Sequence, residues 1–291
     1  MIRSRLFALI AGLMFFCPAL VTPAFAARGA AVQNTITRMY VFGDSYSDIG
    51  EGYRDGNGPT AVAYLAQQLG FQLMPANDPA ARGQSLDFAI SAAQTGVEEG
   101  HRFGKVVMAV GMRNQVDDFA ARVRSHEIEF DPGTTLFFFA GGLNDGKLTT
   151  QQTVSNLEGE IGTIYSLGGR HFMVALLPKL IPEFSATAAR LDPAIARIPG
   201  ELNKQLRGAH VNLSHWGRFY DDILRDPSRY GITDTEHACA GRAIFHQGGT
   251  PCASPDTHFY YHQAHPSTAT HKIVGGMLYR EVTKLEKKGK L

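Results

Sequence analysis

The sequence predicts an α/β protein in which a parallel sheet is covered by helices on both faces. Short runs of consecutive apolar residues, which suit strands buried on both faces, alternate with segments of helical composition or periodicity. No internal repeat and no low-complexity linker interrupts this alternation. Because strand and helix signals follow one another in turn, the strands are expected to run parallel.

The first 26 residues have the pattern of a secretory signal peptide. Arg3 and Arg5 precede the apolar run LFALIAGLMFF, and AFA at 24–26 provides an A-x-A cleavage site. We therefore expect cleavage before Ala27 and export to the periplasm or the medium. The remaining residues, 27–291, are predicted to form one domain, because about 265 residues suffice for a single α/β core.

A membrane anchor is the alternative interpretation of this N-terminal segment. The apolar run is short for a membrane span and is followed by Pro18, which favours the signal peptide. A lipid anchor on Cys17 is also disfavoured, because Phe occupies the position where a lipobox has a small residue.

The composition argues against two classes of partner. The chain has 28 basic and 27 acidic residues, and removal of Arg3 and Arg5 leaves the exported part nearly neutral. No basic block is present, which disfavours nucleic acid and an anionic membrane surface as partners.

The exported part keeps two cysteines, Cys239 and Cys252. A disulfide between them is expected in an oxidising compartment, and two buried free thiols are the alternative.

Apolar runs predict the strands, and 3.6-residue periodicity or helical composition predicts the helices. The strands are MYVF at 39–42, LDFAI at 86–90, TTLFFFA at 134–140, HFMVALL at 171–177 and a weaker AHVNLS at 209–214. The helices are TAVAYLAQQL at 60–69, one around 116–123, one around 154–164 that ends at Gly168-Gly169, and one from about Ser267. Residues 225–266 are predicted to form one long loop, and loops of that length are usually functional.

Two of these strands end in polar groups suited to ester chemistry. MYVF is followed by Gly43-Asp44-Ser45, and TTLFFFA is followed by GGLNDG, which contains Asn144. Since the carboxyl ends of parallel strands lie at one edge of the sheet, Ser45 and Asn144 are expected to be close together. An amide beside a serine hydroxyl is a suitable donor to the charge that develops on an ester carbonyl oxygen.

A serine nucleophile requires a base, and the stretch HFYYHQAHPS offers three histidines, His258, His262 and His265. His265-Pro266 lies where the long loop enters the last helix, so its imidazole can point back over the sheet edge. We therefore predict that Ser45 is the nucleophile, His265 the general base and Asn144 part of an oxyanion hole.

These stretches resemble the GDSL esterases/lipases, also called SGNH hydrolases. VFGDSYSD is similar to the nucleophile block of that family, LDFAISAAQTG at 86–96 to its second block, GGLND to its G-x-N-D block and HP to its histidine block. The resemblance implies a flavodoxin-like three-layer α/β/α fold and ester hydrolysis through an acyl-enzyme, without a metal or cofactor. No G-x-S-x-G is present, so the nucleophile elbow of the α/β-hydrolases is not expected.

The chain departs from this family pattern at two positions. Ala92 stands where the family has a glycine whose N–H joins the oxyanion hole; alanine keeps that N–H if the backbone conformation suits an L-residue. His262 stands where the family has the Asp of D-x-x-H-P, so the carboxylate that orients the base is missing. A neutral His262 that hydrogen-bonds His265 is one substitute.

Other substitutes for that carboxylate are Asp256, which is nearby in sequence, or a backbone carbonyl. A catalytically impaired binding protein of the same fold is a second hypothesis. A zinc-dependent hydrolase that uses His258, His262 and His265, with or without Asp256, is a third, although the spacing matches no standard zinc site.

The expected substrate is a small-molecule, lipid or acetylated-sugar ester. No nucleic-acid partner and no integral membrane association are expected, and the sequence does not indicate the oligomeric state. The loop between Ile49 and Thr60 is short, which predicts an open site, and nothing in it selects among these esters.

Overall fold

The computed structural model describes residues 35–291, so the predicted signal peptide lies outside the described part of the chain. The strands are β1 (Arg38–Gly43), β2 (Leu73–Pro75), β3 (Ser85–Asp87), β4 (Glu99–Phe103), β5 (Val106–Val110), β6 (Thr135–Ala140), β7 (His171–Ala175), β8 (His210–Ser214), β9 (Tyr260–His262) and β10 (His265–Pro266). The helices are α1 (Ala61–Leu69), α2 (Met112–Arg124), α3 (Thr150–Ser166), α4 (Pro182–Ile195), α5 (Ile198–Gln205), α6 (Trp216–Arg225) and α7 (Thr268–Glu286).

Six strands form one parallel sheet in the order β2-β3-β1-β6-β7-β8. Helix α7 packs against α1 and α6, whereas α3 packs against α2, α4 and α5, which gives the two helical layers. The order from β3 to β8 is that of a flavodoxin-like fold, with β2 added at one edge. The predicted α/β/α architecture is therefore confirmed.

Several elements were not predicted from the sequence. The antiparallel hairpin of β4 and β5 lies outside the main sheet, and β4 is almost wholly exposed, so it has little apolar pattern. Helix α4 begins at Pro182 and contains Pro193, and α5 has a proline in its first turn. These prolines interrupt the periodicity on which sequence-based prediction depends. The edge strand β2 and helix α6 were also missed.

The core around β1 is an aromatic cluster. Phe42 on β1 stacks on Phe88 and on Phe139 of β6, with ring centroids 5.4 and 5.2 Å apart. Phe119 of α2 meets Phe42 edge-on at 5.7 Å, and all four side chains are almost wholly buried. Burial of each such ring stabilises the fold by about 1.5–3 kcal/mol, so the strand that leads to Ser45 is held rigidly.

The end of β1 is fixed by a close approach and by a buried amide. A Cβ at Gly43 would lie 2.5 Å from the carbonyl oxygen of Ala140 on β6, so this crossing of strand ends requires glycine. Gln115 of α2 accepts from the N–H of Gly43 and donates to its carbonyl oxygen. Strand order reverses between β1 and β6, the position where open α/β sheets bind ligands.

No helix within residues 35–291 has both the length and the apolar character needed to cross a membrane.

Candidate active site

Ser45 lies on a tight turn that follows β1. The N–H groups of Ser47 and Asp48 both donate to the carbonyl oxygen of Asp44 at 3.0 Å, and the Asp44 carboxylate accepts the N–H of Tyr46. These bonds close the turn around Ser45, whose side chain is directed to the cavity at the carboxyl edge of the sheet. The turn explains why the apolar run of β1 stops where it does: it presents this hydroxyl.

His265 reaches Ser45 from the hairpin of β9 and β10. Its Nε2 lies 2.8 Å from the Oγ of Ser45, and its Nδ1 lies 2.8 Å from the carbonyl oxygen of Gln263. A carbonyl oxygen can only accept, so Nδ1 carries the proton of the neutral ring and Nε2 accepts from the hydroxyl of Ser45. This is the tautomer that a general base for Ser45 requires. The backbone carbonyl considered from the sequence therefore occupies the orienting position.

Tyr46 links the serine turn to the histidine hairpin. Its hydroxyl donates to the carbonyl oxygen of Ala264 at 2.5 Å, and its wholly buried ring packs 5.6 Å from that of His265. Trp216 and Tyr220 enclose the same ring edge-on. The residues on either side of the Ser45–His265 contact are thus bonded to each other as well.

Burial keeps the imidazole of His265 neutral. Desolvation lowers its pKa to about 3, and the positive charge of Arg242 acts in the same direction. The Gln263 carbonyl raises the pKa by a smaller amount. A ring with so low a pKa is unprotonated at neutral pH, so the lone pair of Nε2 is free to accept the hydrogen bond from Ser45.

Ala92 and Asn144 line the same cavity of about 320 Å³ as Ser45 and His265. Asn144 donates one amide hydrogen to the carbonyl oxygen of Ala93 at 2.9 Å, which leaves its other N–H free for a ligand. Among residues 35–291, no hydrogen bond joins the N–H of Ser45 or of Ala92 to another protein group. Three donors at one cavity that also holds a serine hydroxyl suit the stabilisation of an oxyanion.

Asp145, next to Asn144, holds two parts of the site together. Its buried carboxylate accepts the N–H and hydroxyl of Thr95, at 2.9 and 2.6 Å, and the hydroxyl of Thr153 at 2.6 Å. The segment that contains Ala92 is thereby tied to the segment that contains Asn144.

The GDSL-like Lipase/Acylhydrolase family pattern matches residues 39–276, which is most of the chain. The chain belongs to this family. A GDSL esterase/lipase of Arabidopsis thaliana is 25% identical over 266 residues, covering 75% of this chain and 69% of the relative. GDSL esterase/lipase 7 of the same plant is 22% identical, covering 81% of this chain and 85% of its own. The protein is accordingly a carboxylic ester hydrolase.

Two solved structures align with most of this chain. A member of the lipolytic G-D-S-L family from Veillonella parvula aligns over 85% of this chain and 99% of its own, with a TM-score of 0.48 and 11% identity. A lipase/acylhydrolase from Enterococcus faecalis aligns over 85% and 95%, with a TM-score of 0.45 and 14% identity.

The first departure from the GDSL pattern has a measurable backbone cost. Ala92 has φ of 67°, in the left-handed region where glycine is favoured. An L-residue there is strained by about 1–2 kcal/mol. The glycine of the family pattern would avoid this strain, whereas the N–H of Ala92 is retained.

The second departure brings in a carboxylate that sequence reasoning missed. Nδ1 of His262 lies 2.7 Å from Oδ1 of Asp55, and its ring makes no hydrogen bond with the ring of His265. The His262–His265 bond, one of the substitutes considered from the sequence, is not made, because the His262 ring is directed to the loop before α1. Asp55 is almost wholly buried and pairs with Arg242. It lies in the loop between Ile49 and Thr60, where the sequence indicated no functional residue.

Asp256, the carboxylate considered from the sequence, is exposed on a short 3-10 helix. His258 has partners of its own: its Nδ1 lies 2.9 Å from the Ser254 carbonyl oxygen, and its Nε2 lies 3.6 Å from Oδ2 of Asp234. The ring of His258 thus has partners that neither His262 nor His265 contacts. Within residues 35–291, no group of three or more His, Cys, Asp or Glu side chains is arranged to hold a metal ion.

The sulfur atoms of Cys239 and Cys252 are 2.10 Å apart, which is the separation of a bonded pair. The segment between them brings Arg242, Phe245 and Gln247 to the cavity that holds Ser45. Part of the long loop predicted from the sequence therefore forms a wall of the site.

Replacement of Ala92 by glycine tests the strained backbone. Ala92→Gly should raise the free energy of unfolding by about 0.5–1 kcal/mol, because the relief of strain exceeds the added entropy of the unfolded chain. Its kcat should stay within about twofold of the wild type, since the N–H is kept. Denaturant unfolding and hydrolysis of a nitrophenyl ester provide the two measurements.

Ala93→Gly is the matched control, because Ala93 is buried and lies outside the left-handed region. It should lower the free energy of unfolding by about 1 kcal/mol. Equal destabilisation by the two substitutions would contradict a left-handed Ala92.

Proposed function

We propose that the protein hydrolyses carboxylic esters through an acyl-enzyme on Ser45, with His265 as the general base. The observation that carries the proposal is the 2.8 Å hydrogen bond from the Oγ of Ser45 to the Nε2 of His265, in a ring whose Nδ1 is held by a carbonyl. As Oγ attacks the ester carbonyl carbon, its proton passes to Nε2. The imidazolium then gives this proton to the departing alcohol oxygen.

Deacylation repeats the sequence with water. Nε2 of His265 takes a proton from the attacking water, and the tetrahedral intermediate collapses with release of the acid and return of the proton to Oγ of Ser45. In both tetrahedral intermediates the oxyanion accepts hydrogen bonds from the N–H of Ser45, the N–H of Ala92 and the side-chain amide of Asn144. This mechanism needs no cofactor.

The proposed substrate is a small-molecule ester. The cavity of about 320 Å³ is at the lower end of the range for ligand pockets and has both polar and apolar walls. A lipid or an acetylated sugar has the same reacting bond, and a panel of nitrophenyl esters of rising chain length, with a phospholipid and an acetylated sugar beside them, identifies the preferred acyl group.

We also propose that the protein is exported and oxidised. Arg3, Arg5, the apolar run and the A-x-A site support the export, and the close pair Cys239 and Cys252 is typical of an oxidising compartment. Intact-mass analysis of the exported protein should show a chain that begins at Ala27 and contains no free thiol. A mature chain that retains residues 1–26 would contradict the export.

Ser45→Ala should abolish ester hydrolysis, because no other hydroxyl in residues 35–291 is hydrogen-bonded to His265. The free energy of unfolding should change by no more than about 1 kcal/mol. Labelling by a fluorophosphonate, which requires an activated serine, should disappear as well.

Ser155→Ala, an exposed serine on α3, is the control and should keep full activity and labelling. Wild-type protein that neither reacts with the probe nor hydrolyses any ester of the panel would favour the non-catalytic binding protein instead.

Asn144→Ala should lower kcat by about 10²–10³ with little change in KM, the effect of removing one oxyanion donor. Steady-state kinetics on one good ester separates the two constants. Asn212→Ala is the control, because Asn212 on β8 donates to the carbonyl oxygens of His210 and Lys290 and does not line the cavity. A change confined to KM would assign Asn144 to substrate binding.

A further inference from the structure

A buried carboxylate lies next to the base without belonging to the family pattern. The side chain of Asp55 is fully buried, and its Oδ2 lies 3.4 Å from the Nε2 of His265, the nitrogen that faces Ser45. Its Oδ1 lies 2.7 Å from Nδ1 of His262. The guanidinium of Arg242 contacts both carboxylate oxygens. One carboxylate therefore contacts both histidines of the hairpin and a single cation.

The loop of Asp55 is anchored close to the base. The side chain of Asn57 accepts the N–H of Thr268 at 2.8 Å, and the carbonyl oxygen of Pro59 accepts the hydroxyl of Thr268 at 3.0 Å. Thr268 is the first residue of α7 and follows His265 by three positions. Asp55 and His265 are consequently placed by two segments that are bonded to each other.

A structural salt bridge is a weak explanation for this arrangement. A buried ion pair repays its desolvation only partly, and apolar side chains of similar volume often stabilise a core as well or better. The contacts of Asp55 also extend beyond this ion pair, because its carboxylate contacts two imidazoles in addition to the guanidinium of Arg242. A role that involves the charge of the imidazoles accounts for all of these contacts.

We propose that Asp55 is the positioning residue that supplies the missing negative charge beside His265. Arg242, which contacts the same carboxylate, partly offsets the effect of this negative charge on the imidazole. The inference rests on the proposed Ser45–His265 chemistry. It differs from the family pattern in the origin of the carboxylate, which comes from the loop before α1 and not from position 262. It also differs in geometry, because Asp55 faces Nε2 while a backbone carbonyl holds Nδ1.

The charge is needed only when the reaction proceeds. The neutral ring of His265 gains a proton at Nε2 as Ser45 attacks, and the imidazolium is then 3.4 Å from the carboxylate of Asp55 in a water-poor site. The reverse effect comes from Arg242, which together with desolvation lowers the pKa of His265. The charged or titratable groups that face this ring from the surrounding elements are Asp55, Arg242, His262, Glu183 and His271, with Tyr46 beneath it.

The first experiment moves the carboxylate. Asp55→Asn, which keeps the shape and removes the charge, should lower kcat by about 10²–10⁴ on a nitrophenyl ester, as expected when a base loses its carboxylate partner. His262→Asp alone should be neutral or harmful, because it adds a second anion beside Asp55. Combined with Asp55→Asn, the same substitution restores one carboxylate and should raise kcat at least tenfold above Asp55→Asn alone.

Asp256→Asn is the matched control, since Asp256 is an exposed aspartate in the same loop region as the histidines. Its kcat should equal that of the wild type. A thermal unfolding curve for each variant shows that the differences come from folded protein. A purely structural Asp55 predicts no rescue by His262→Asp.

The second experiment removes the cation. Arg242→Gln takes away a positive charge that lowers the pKa of His265, so this pKa should rise from about 3. Because only the neutral ring acts as a base, activity falls as pH drops through this pKa. The acidic limb of kcat/KM should therefore move to higher pH in Arg242→Gln and should not do so in Asp55→Asn.

Two results would overturn the proposal: folded Asp55→Asn with kcat within threefold of the wild type, or folded Asp55→Asn/His262→Asp that is no better than Asp55→Asn. If Asp55→Asn does not fold, the pH profile of kcat/KM for Arg242→Gln decides the proposal. An acidic limb at the same pH as in the wild type then rejects the proposed charge coupling at His265. If the wild type hydrolyses no ester, the proposed function fails separately. The ring titration of His265, followed by NMR in Ser45→Ala with and without Arg242→Gln, then tests the charge coupling without catalysis.

Discussion

The hydrogen bond between Ser45 and His265 joins residues 220 positions apart, so it depends on how two distant segments of the chain are held together. A serine hydroxyl and an imidazole 2.8 Å apart tolerate little displacement, because proton transfer requires hydrogen-bonding distance in the transition state. Two rigid supports meet this requirement. The aromatic packing of β1 holds the serine side, and the bond from Tyr46 to the Ala264 carbonyl holds the histidine side.

Burial of the site has opposite consequences for the resting enzyme and for the transition state. In the resting state, desolvation lowers the pKa of both hairpin histidines, to about 4 for His262 and about 3 for His265, so that the base is neutral. The same desolvation penalises the imidazolium that forms when Ser45 attacks. A buried anion beside Nε2 offsets that penalty at the moment when the charge appears, and Asp55 is placed there.

The sequence allowed prediction of the elements whose signals are local. The buried strands are continuous apolar runs, and the strand ends place Ser45 and Asn144 at one edge because the sheet is parallel. His265 could be placed because it lies just before the last helix. The side chains of Ser45, Asn144 and His265 line one cavity. Their chemical roles remain predictions.

Asp55 and Arg242 could not be found in this way. Asp55 lies in the stretch GYRDGNGP, which reads as an ordinary polar turn, and its partner His262 is 207 positions away. Arg242 lies in a loop without periodicity, in the segment between Cys239 and Cys252 that lines the cavity. The one signal in the sequence was negative: position 262 holds a histidine where the family pattern has an aspartate, so the usual carboxylate partner of the base is missing.

The imidazole at position 262 has a physical function of its own in that arrangement. An aspartate there would be a second anion beside Asp55, and two buried carboxylates in contact cannot both remain ionised. A neutral histidine instead donates Nδ1–H to Oδ1 of Asp55 and leaves Oδ2 facing His265 and Arg242. The histidine at 262 and the carboxylate at 55 are therefore mutually consistent. An aspartate at 262 beside Asp55 would give the site too much negative charge, and a histidine at 262 without Asp55 would give it too little.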